Sequence, residues 1–308
     1  MHCVSTRTIT VKFIRGISMA DGFIILDKDS GIFSRTAGGR IARMFETKKF
    51  GHIGTLDPMA SGVLPIAIGG ATKMIPFIEE VNSNKKEYFF SCQFGFETDT
   101  LDITGREITR NNIVPTVEMV KSVIPKLVGK TMQTPPIYSA VHVDGVRAYD
   151  AARHGKSIDI PPRPVEIFEL EFLGVRNDSW DFRVLCSRGT YVRSIARDIA
   201  KMCDTLATVD MIRRIQTNGF TIKNAVKLDF LENLVNNGGD FKKYLEPIDS
   251  GLGDIPVVNL DGKAAQFYKN GGFVVTTGAD GLRRVYSGDT FIGIGMVIDG
   301  KLCPKRTI

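Results

Sequence analysis

The chain has 308 residues, 43% of them hydrophobic, which is enough for one large domain or two smaller ones around a proper core. No stretch is long and apolar enough to span a membrane. Five scattered cysteines without a Cys-x-x-Cys pair, and four histidines without a His-x-x-x-His pair, exclude a disulfide framework and a metal site and point to a reducing cytoplasm. A formal charge of +6 suits a polyanionic partner without requiring one.

Residues 1–20 carry Arg7, Lys12 and Arg15 and no acid before Asp21. They read as an N-terminal extension, with Met19 as an alternative start; a weak transit peptide is the other reading. Residues 22–26 predict a strand that enters a loop at Asp27-Lys28. Residues 37–45 predict a helix whose exit is basic, with Arg40, Arg43, Lys48 and Lys49. Next comes Gly51-His52-Ile53-Gly54-Thr55-Leu56-Asp57-Pro58-Met59-Ala60-Ser61-Gly62-Val63-Leu64-Pro65. Its glycines permit close approaches and its prolines restrict the backbone, so it predicts a rigid loop presenting one carboxylate, Asp57, ahead of a strand over 63–68. Taken alone, an Asp beside Pro also fits a turn cap.

Gly69-Gly70-Ala71-Thr72-Lys73 is no Walker loop, because Thr72 stands where that pattern needs Gly. His52-Ile53-Gly54-Thr55 lacks the second His of the nucleotidylyl transferase element His-x-Gly-His. Residues 86–97 predict a strand rich in rings, Tyr88 and Phe90 among them. Residues 116–128 predict an amphipathic helix that Pro125 should kink or shorten. Residues 135–164 are bounded by proline and interleave Arg147, Arg153, Lys156 and Arg163 with Tyr138, His142 and Tyr149. That mixture suits a nucleic-acid surface, where charge meets phosphate and rings stack on bases; a surface excursion without a partner is the alternative. Strands are predicted over 165–175 and 180–186. A helix then starts near Thr190, read as its N-cap. Arg193 falls in its first turn, where the dipole slightly disfavours a cation; a partner acid is one reading and an exposed arginine is the other. Residues 256–308 alternate short strands with glycine turns, the pattern of a small β-barrel.

The stretch around Asp57 resembles the signature of the TruB family of tRNA pseudouridine synthases, Gly-His-Thr-Gly-Thr-Leu-Asp-Pro-Leu-Ala-Thr-Gly-Val-Leu-Pro, from which Ile53, Met59 and Ser61 depart. Lys86-Glu87-Tyr88 is similar to its Lys-x-Tyr element, and Gly95 to Asp102 to its Gly-x-x-Thr-Asp-Thr-x-Asp turn. Gly189-Thr190-Tyr191-Val192-Arg193 through Asp198 reproduces Gly-Thr-Tyr-x-Arg-(Ser/Thr)-x-Ala-Arg-Asp, and Ile212-Arg213-Arg214 resembles Leu-Arg-Arg. The loop after Asp27-Lys28 departs from the family's Asp-Lys-Pro-x-Gly-x-Thr-Ser by lacking its Pro and Thr. Gly300 to Arg306 resembles the close of a PUA-like RNA-binding domain.

The resemblance implies an α+β pseudouridine synthase fold with a central mixed, mainly antiparallel sheet, flanking helices and a small C-terminal PUA-like β-barrel. The implied domains are the extension 1–20, a catalytic domain 21–249 with a thumb at 135–164, and an RNA-binding domain 250–308. The implied activity is isomerisation of uridine 55 in the T loop of tRNA, by base flipping, in a cytoplasmic monomer with no cofactor and no metal. In this reading Asp57 is the nucleophile, attacking C6 of the base or C1′ of the ribose. Arg193 pairs with it, and Tyr88 stacks on the uracil and helps remove the C5 proton. His52, Tyr191, Ile212, Lys28, Lys73, Arg147 and Arg153 are the expected substrate-binding residues. A tRNA-binding folding helper without catalysis is the alternative. The set Asp57, Tyr88, Tyr191 and Arg193 favours an enzyme, because a pure binder has no use for a buried carboxylate facing an anionic ligand.

Overall fold

The structure, a computed structural model, describes residues 20–81, 85–139, 142–143, 146–147 and 160–308. The chain runs β1 (Gly22–Lys28), α1 (Ser34–Met44), β2 (Phe50–His52), β3 (Ser61–Ile68), α2 (Ile75–Glu80), β4 (Lys86–Phe94), β5 (Phe96–Thr98), β6 (Glu107–Arg110), α3 (Val117–Leu127) and β7 (Gly129–Gln133). Two short strands, β8 (His142–Val143) and β9 (Val146–Arg147), form a hairpin. There follow β10 (Arg163–Arg176), β11 (Ser179–Cys186), α4 (Val192–Met202), β12 (Ala207–Thr217), β13 (Phe220–Thr221), β14 (Val226–Lys227), α5 (Leu228–Asn236) and β15 (Leu245–Glu246). The chain closes with β16 (Val257–Asn259), α6 (Gly262–Lys269), β17 (Val274–Val275), β18 (Gly281–Ser287), β19 (Thr290–Ile298) and β20 (Lys301–Thr307).

One large sheet has the order β14-β1-β3-β12-β4-β11-β10-β7, with β2, β13 and β15 paired on at its side. Its ladders are antiparallel except β1 with β14 and β3 with β12, which fits the expected mixed, mainly antiparallel sheet. Every residue of β1 is buried, so both faces of the sheet are covered at its centre. Ile24 and Leu26 face one way, into a core shared with α1, α3, α4 and α5. Phe23 and Ile25 face the other way, into a second core with Met74, Ile78, Leu252, Ile255, Phe291 and Ile294. The period of two along a strand produces this division.

Residues 257–307 form a five-stranded curled sheet of order β16-β18-β19-β20-β17, an open half-barrel of PUA-like form. Phe291 and Ile294 of β19 belong to the second core, so this half-barrel shares its packing with the large sheet. Lys73 Nζ donates to the Thr307 carbonyl at 3.0 Å, and Arg284 pairs with Asp249 at 3.0 Å across the same joint.

Helix α3 carries Pro125 in its final turn and ends two residues later, at Leu127. Two local expectations need correction. Helix α1 starts at Ser34, ahead of the predicted boundary. Thr190 does not cap α4: the N-cap position is Tyr191. The buried side chain of Gln133, at the end of β7, accepts from Tyr191 N at 2.8 Å and donates to its carbonyl at 3.3 Å, which holds the helix start from another element.

Candidate active site

Asp57 sits on a loop that its neighbours hold from both sides. The buried Ser34 hydroxyl donates to the Leu56 carbonyl at 2.8 Å and accepts from Leu56 N at 3.0 Å. Gly31 N donates to the Pro58 carbonyl at 2.7 Å, and the Ser30 hydroxyl to that of Met59 at 2.8 Å. Lys28 lies under this junction, fully buried, and its ammonium donates to the carbonyls of Asp29, Ile32 and Pro58. Burial pushes its pKa down to about 8. With Leu56 and Ala60 packed into the main core, the loop is anchored by apolar as well as polar contacts.

Arg193, from the first turn of α4, reaches the carboxylate of Asp57 at 2.6 Å and that of Asp102 at 3.4 Å. It also donates to the carbonyls of Thr100 at 2.7 Å and Tyr138 at 3.0 Å. Its side chain is 4% exposed and that of Asp102 is 6%, whereas Asp57 is 39% exposed. Asp102 is turned inward by its own loop, where its Oδ1 accepts from Thr104 N at 3.0 Å. One guanidinium therefore joins an inward carboxylate to an outward one. A fork of fixed donors suits this job, since it orients the Asp57 carboxylate while leaving it 39% exposed.

A cavity of about 160 Å³ opens beside Asp57, lined among others by Thr55, Lys86, Tyr88, Tyr191, Val192, Arg193 and Ile212. Register explains why residues so distant in sequence meet here. Tyr88 pairs across the ladder with Arg214, and Phe90 with Ile212, so alternate residues of β4 and β12 face the cavity side together. Arg214 is fully buried and donates to the carbonyls of Val63 at 2.8 Å and Gly54 at 2.7 Å. Burial raises the Tyr88 phenol to about 12, against the pull of the adjacent Arg214. Burial lowers Lys86 to about 8, with Arg214 adding to the effect.

Two glycines make this packing feasible. Gly62, at φ +104°, lets β3 approach β12 so closely that a Cβ there would lie 2.1 Å from the Arg214 carbonyl oxygen. Gly54, at φ +66°, would put a Cβ 3.0 Å from both Arg214 Nη1 and Lys86 Nζ.

The structure thus brings Asp57, Tyr88, Arg193, Tyr191 and Ile212 to one cavity. His52 lies nearby, half-buried, with Nε2 3.0 Å from the Thr55 hydroxyl; burial, then Arg214 and Arg35, hold its imidazole below the usual range. Two of the expected RNA contacts are placed against backbone carbonyls. Lys28 is buried, because the loop folds over it and its three donors are used on carbonyls. Lys73, half-buried, reaches the C-terminal strand. Arg147 lies in β9, where only the backbone is described, and Arg153 lies outside the described residues. Sequence reasoning did not single out Lys86, Asp102 or Arg214, although each stands inside a quoted motif. Among the described residues no group of His, Cys, Asp and Glu could hold a metal ion, and no helix is long and apolar enough to cross a membrane.

Residues 42–192 match the family described as TruB family pseudouridylate synthase (N terminal domain), and residues 256–308 match the family described as Pseudouridine synthase II TruB, C-terminal. The tRNA pseudouridine synthase B of Gluconacetobacter diazotrophicus is 36% identical over 300 residues, covering 94% of this chain and 97% of that protein. That of Caulobacter vibrioides is 37% identical over 298 residues, covering 92% and 95%. Among solved structures, an H/ACA RNP bound to a substrate RNA containing 2'-deoxyuridine is similar with a TM-score of 0.68 at 20% identity, over 93% of this chain and 84% of that one. That last likeness speaks for the fold.

Proposed function

Since the chain belongs to the TruB family of pseudouridine synthases, we propose that it converts the T-loop uridine of tRNA (position 55) to pseudouridine, with Asp57 as the nucleophile. The observation that carries this reading is the Asp57–Arg193 pair, 2.6 Å apart, at the rim of a small cavity walled by Tyr88, Tyr191 and Ile212. The cavity is open on one side and has room for a planar base beside Asp57. The uridine must therefore leave its stack to reach Asp57.

The reaction breaks the bond from C1′ to N1, turns the base and joins C1′ to C5, with loss of the C5 proton. Asp57 begins it by attack at C6 or C1′, and Arg193 holds the carboxylate aimed. Tyr88 and Ile212 sandwich the base. Burial favours the neutral Tyr88 phenol, so Tyr88 takes the C5 proton as the phenolate, after its own proton has left to solvent and with the adjacent Arg214 guanidinium stabilising the anion. The change is an isomerisation without redox or net hydrolysis, which asks for no cofactor. Residues 21–249 supply the chemistry, and the thumb and the half-barrel from 250 onward add grip on the tRNA.

The test is pseudouridine mapping on an unmodified tRNA transcript incubated with the purified protein and no added cofactor. Product at the T-loop uridine is expected. Product only at other positions, or none, would overturn the assignment.

A further inference from the structure

The two lysines beside the nucleophile loop are treated differently by the fold. Lys28 spends its ammonium on three carbonyls. Lys86 lines the cavity and, among the described residues, has neither an ion pair nor a side-chain hydrogen bond. Its nearest strong charge is another cation. Lys86 Nζ and Arg214 Nη1 each lie 3.0 Å from the point a Cβ on Gly54 would occupy, so the two nitrogens are within twice that distance of each other. Arg214 Nη1 is itself buried and lacks a well-formed hydrogen bond. Around them stand Glu79 and Arg188, the Cys186 thiol and the Tyr88 phenol, none of which supplies a paired negative charge. Burial and Arg214 together disfavour the ammonium, which is the condition of a cation short of its anion. At the other end of the cavity Arg193 already serves Asp57 and Asp102. One guanidinium shared by two carboxylates leaves the Asp57 rim net negative, while the Lys86 end is positive without a paired anion.

We propose that Lys86, backed by Arg214, is an anion subsite that receives a negatively charged oxygen of the nucleotide drawn into the cavity. The inference rests on the pseudouridine synthase reading, which supplies that nucleotide. Two oxygens have the right chemistry. One is a phosphate oxygen of the RNA backbone, charged before reaction. The other is a carbonyl oxygen of the base, charged only during it. Attack at C1′ sends the electron pair of the C1′–N1 bond onto the base, and attack at C6 sends that of the C5–C6 double bond toward O4. Either path places charge on a base oxygen, where a fixed cation is most effective.

The experiment uses the full chain, an unmodified tRNA transcript, and the variants Lys86→Gln and Lys86→Arg. It measures the dissociation constant across a salt series and the single-turnover rate at saturating protein. If the anion is a phosphate, Lys86→Gln weakens binding about tenfold and lowers the salt slope by about 1, with the bound rate kept. If it is the base, affinity is kept and the bound rate falls about tenfold or more. In both cases Lys86→Arg restores most of the loss. Lys86→Met replaces Lys86→Gln should the latter fail to fold. The subsite is overturned if the neutral variant matches wild type in both measurements, or if Lys86→Arg is as impaired as the neutral form, which would mark a packing role. Wild-type protein that binds the transcript without forming pseudouridine overturns the functional reading instead, and the binding arm then decides the subsite by itself.

Discussion

Replacing Arg193 by Ala tests the centre of the site, and its two consequences can be worked out separately. The side chain joins four acceptors from three segments: the carboxylates of Asp57 and Asp102, and the carbonyls of Thr100 and Tyr138. Its loss falls unequally on the two acids. Asp57 is more than a third exposed and turns to water. Asp102 is buried, but it keeps the Thr104 amide and hydroxyl. Leaving one member of a buried pair uncompensated costs ~3–5 kcal/mol, and these residual donors put the expected loss at the lower end, ~3 kcal/mol. On the rate, the carboxylate loses the contact that aims it, and a misplacement on the order of 1 Å costs about 10²-fold. Arg193→Lys keeps the charge without the fork, so it should recover part of the stability and little of the rate. Urea melts give the first quantity, and single-turnover pseudouridine formation at saturating protein gives the second. A rate for Arg193→Ala within threefold of wild type would refute the idea that this guanidinium aims Asp57.

Asp57→Asn should abolish product while keeping tRNA affinity within a few-fold, because it removes the nucleophile and preserves shape; pseudouridine mapping and filter binding check it, and near-normal turnover contradicts it. Replacing Arg147 and Arg153 together with Ala should reduce the slope of affinity against salt, and an unchanged slope would remove them from the RNA surface. Lys86→Met should be more stable than wild type at pH 7, with the gap narrowing from about pH 8 upward. The sign follows from a folded pKa of about 8 below the unfolded 10.5: in that window the unfolded wild type holds more protons, so raising the pH stabilises the wild type alone. Melts of both proteins across pH 7 to 10 measure it, and a gap constant with pH would be inconsistent with a depressed lysine. Ending the chain at Ile255 should leave a protein with a lower melting midpoint and exposed apolar surface. A truncated form as stable as the full chain would show that the half-barrel is independent.

What could be read from the sequence was what is continuous in it. The Asp57 loop is one run of residues, so its resemblance to the family signature was legible before any fold, although an Asp beside Pro taken alone fits a turn cap. Arg193 was legible through its own motif in the same way, since a cation at a helix start taken alone fits an exposed arginine. Lys86, Asp102 and Arg214 were not, because their placement comes from sheet register and tertiary packing. Asp102 reaches Arg193 through a lone bridge to Val209, and Arg214 reaches Tyr88 across the β4–β12 ladder. Arg213 and Arg214 look alike in sequence, yet successive residues of a strand point to opposite faces. Arg213 therefore meets Asp27 at 3.0 Å, and Arg214 is buried behind the cavity. The burial of Lys28 was not legible either, because it depends on the loop that folds over it and supplies its carbonyl partners.

The division at residue 250 is a boundary of sequence more than of energy. Strand β1 reads as uniformly apolar, Phe23 to Leu26, and no alternation reveals that its second face needs a cover. That cover includes Phe291 and Ile294 of the half-barrel, and the same core contains Ile53 and Val63, which flank the Asp57 loop on either side. The main core holds Leu56 and Ala60 of the same loop from the opposite face. The Asp57 loop is thus clamped between two cores, one of which the C-terminal strands complete. Rigidity at Asp57 is needed because its carboxylate must meet a base that arrives only transiently. A half-barrel that served the RNA alone would have no reason to share a core with the strand carrying Val63. Its removal should therefore lower the bound-state rate as well as the affinity, and a truncated, folded protein with an unchanged single-turnover rate would separate the two roles.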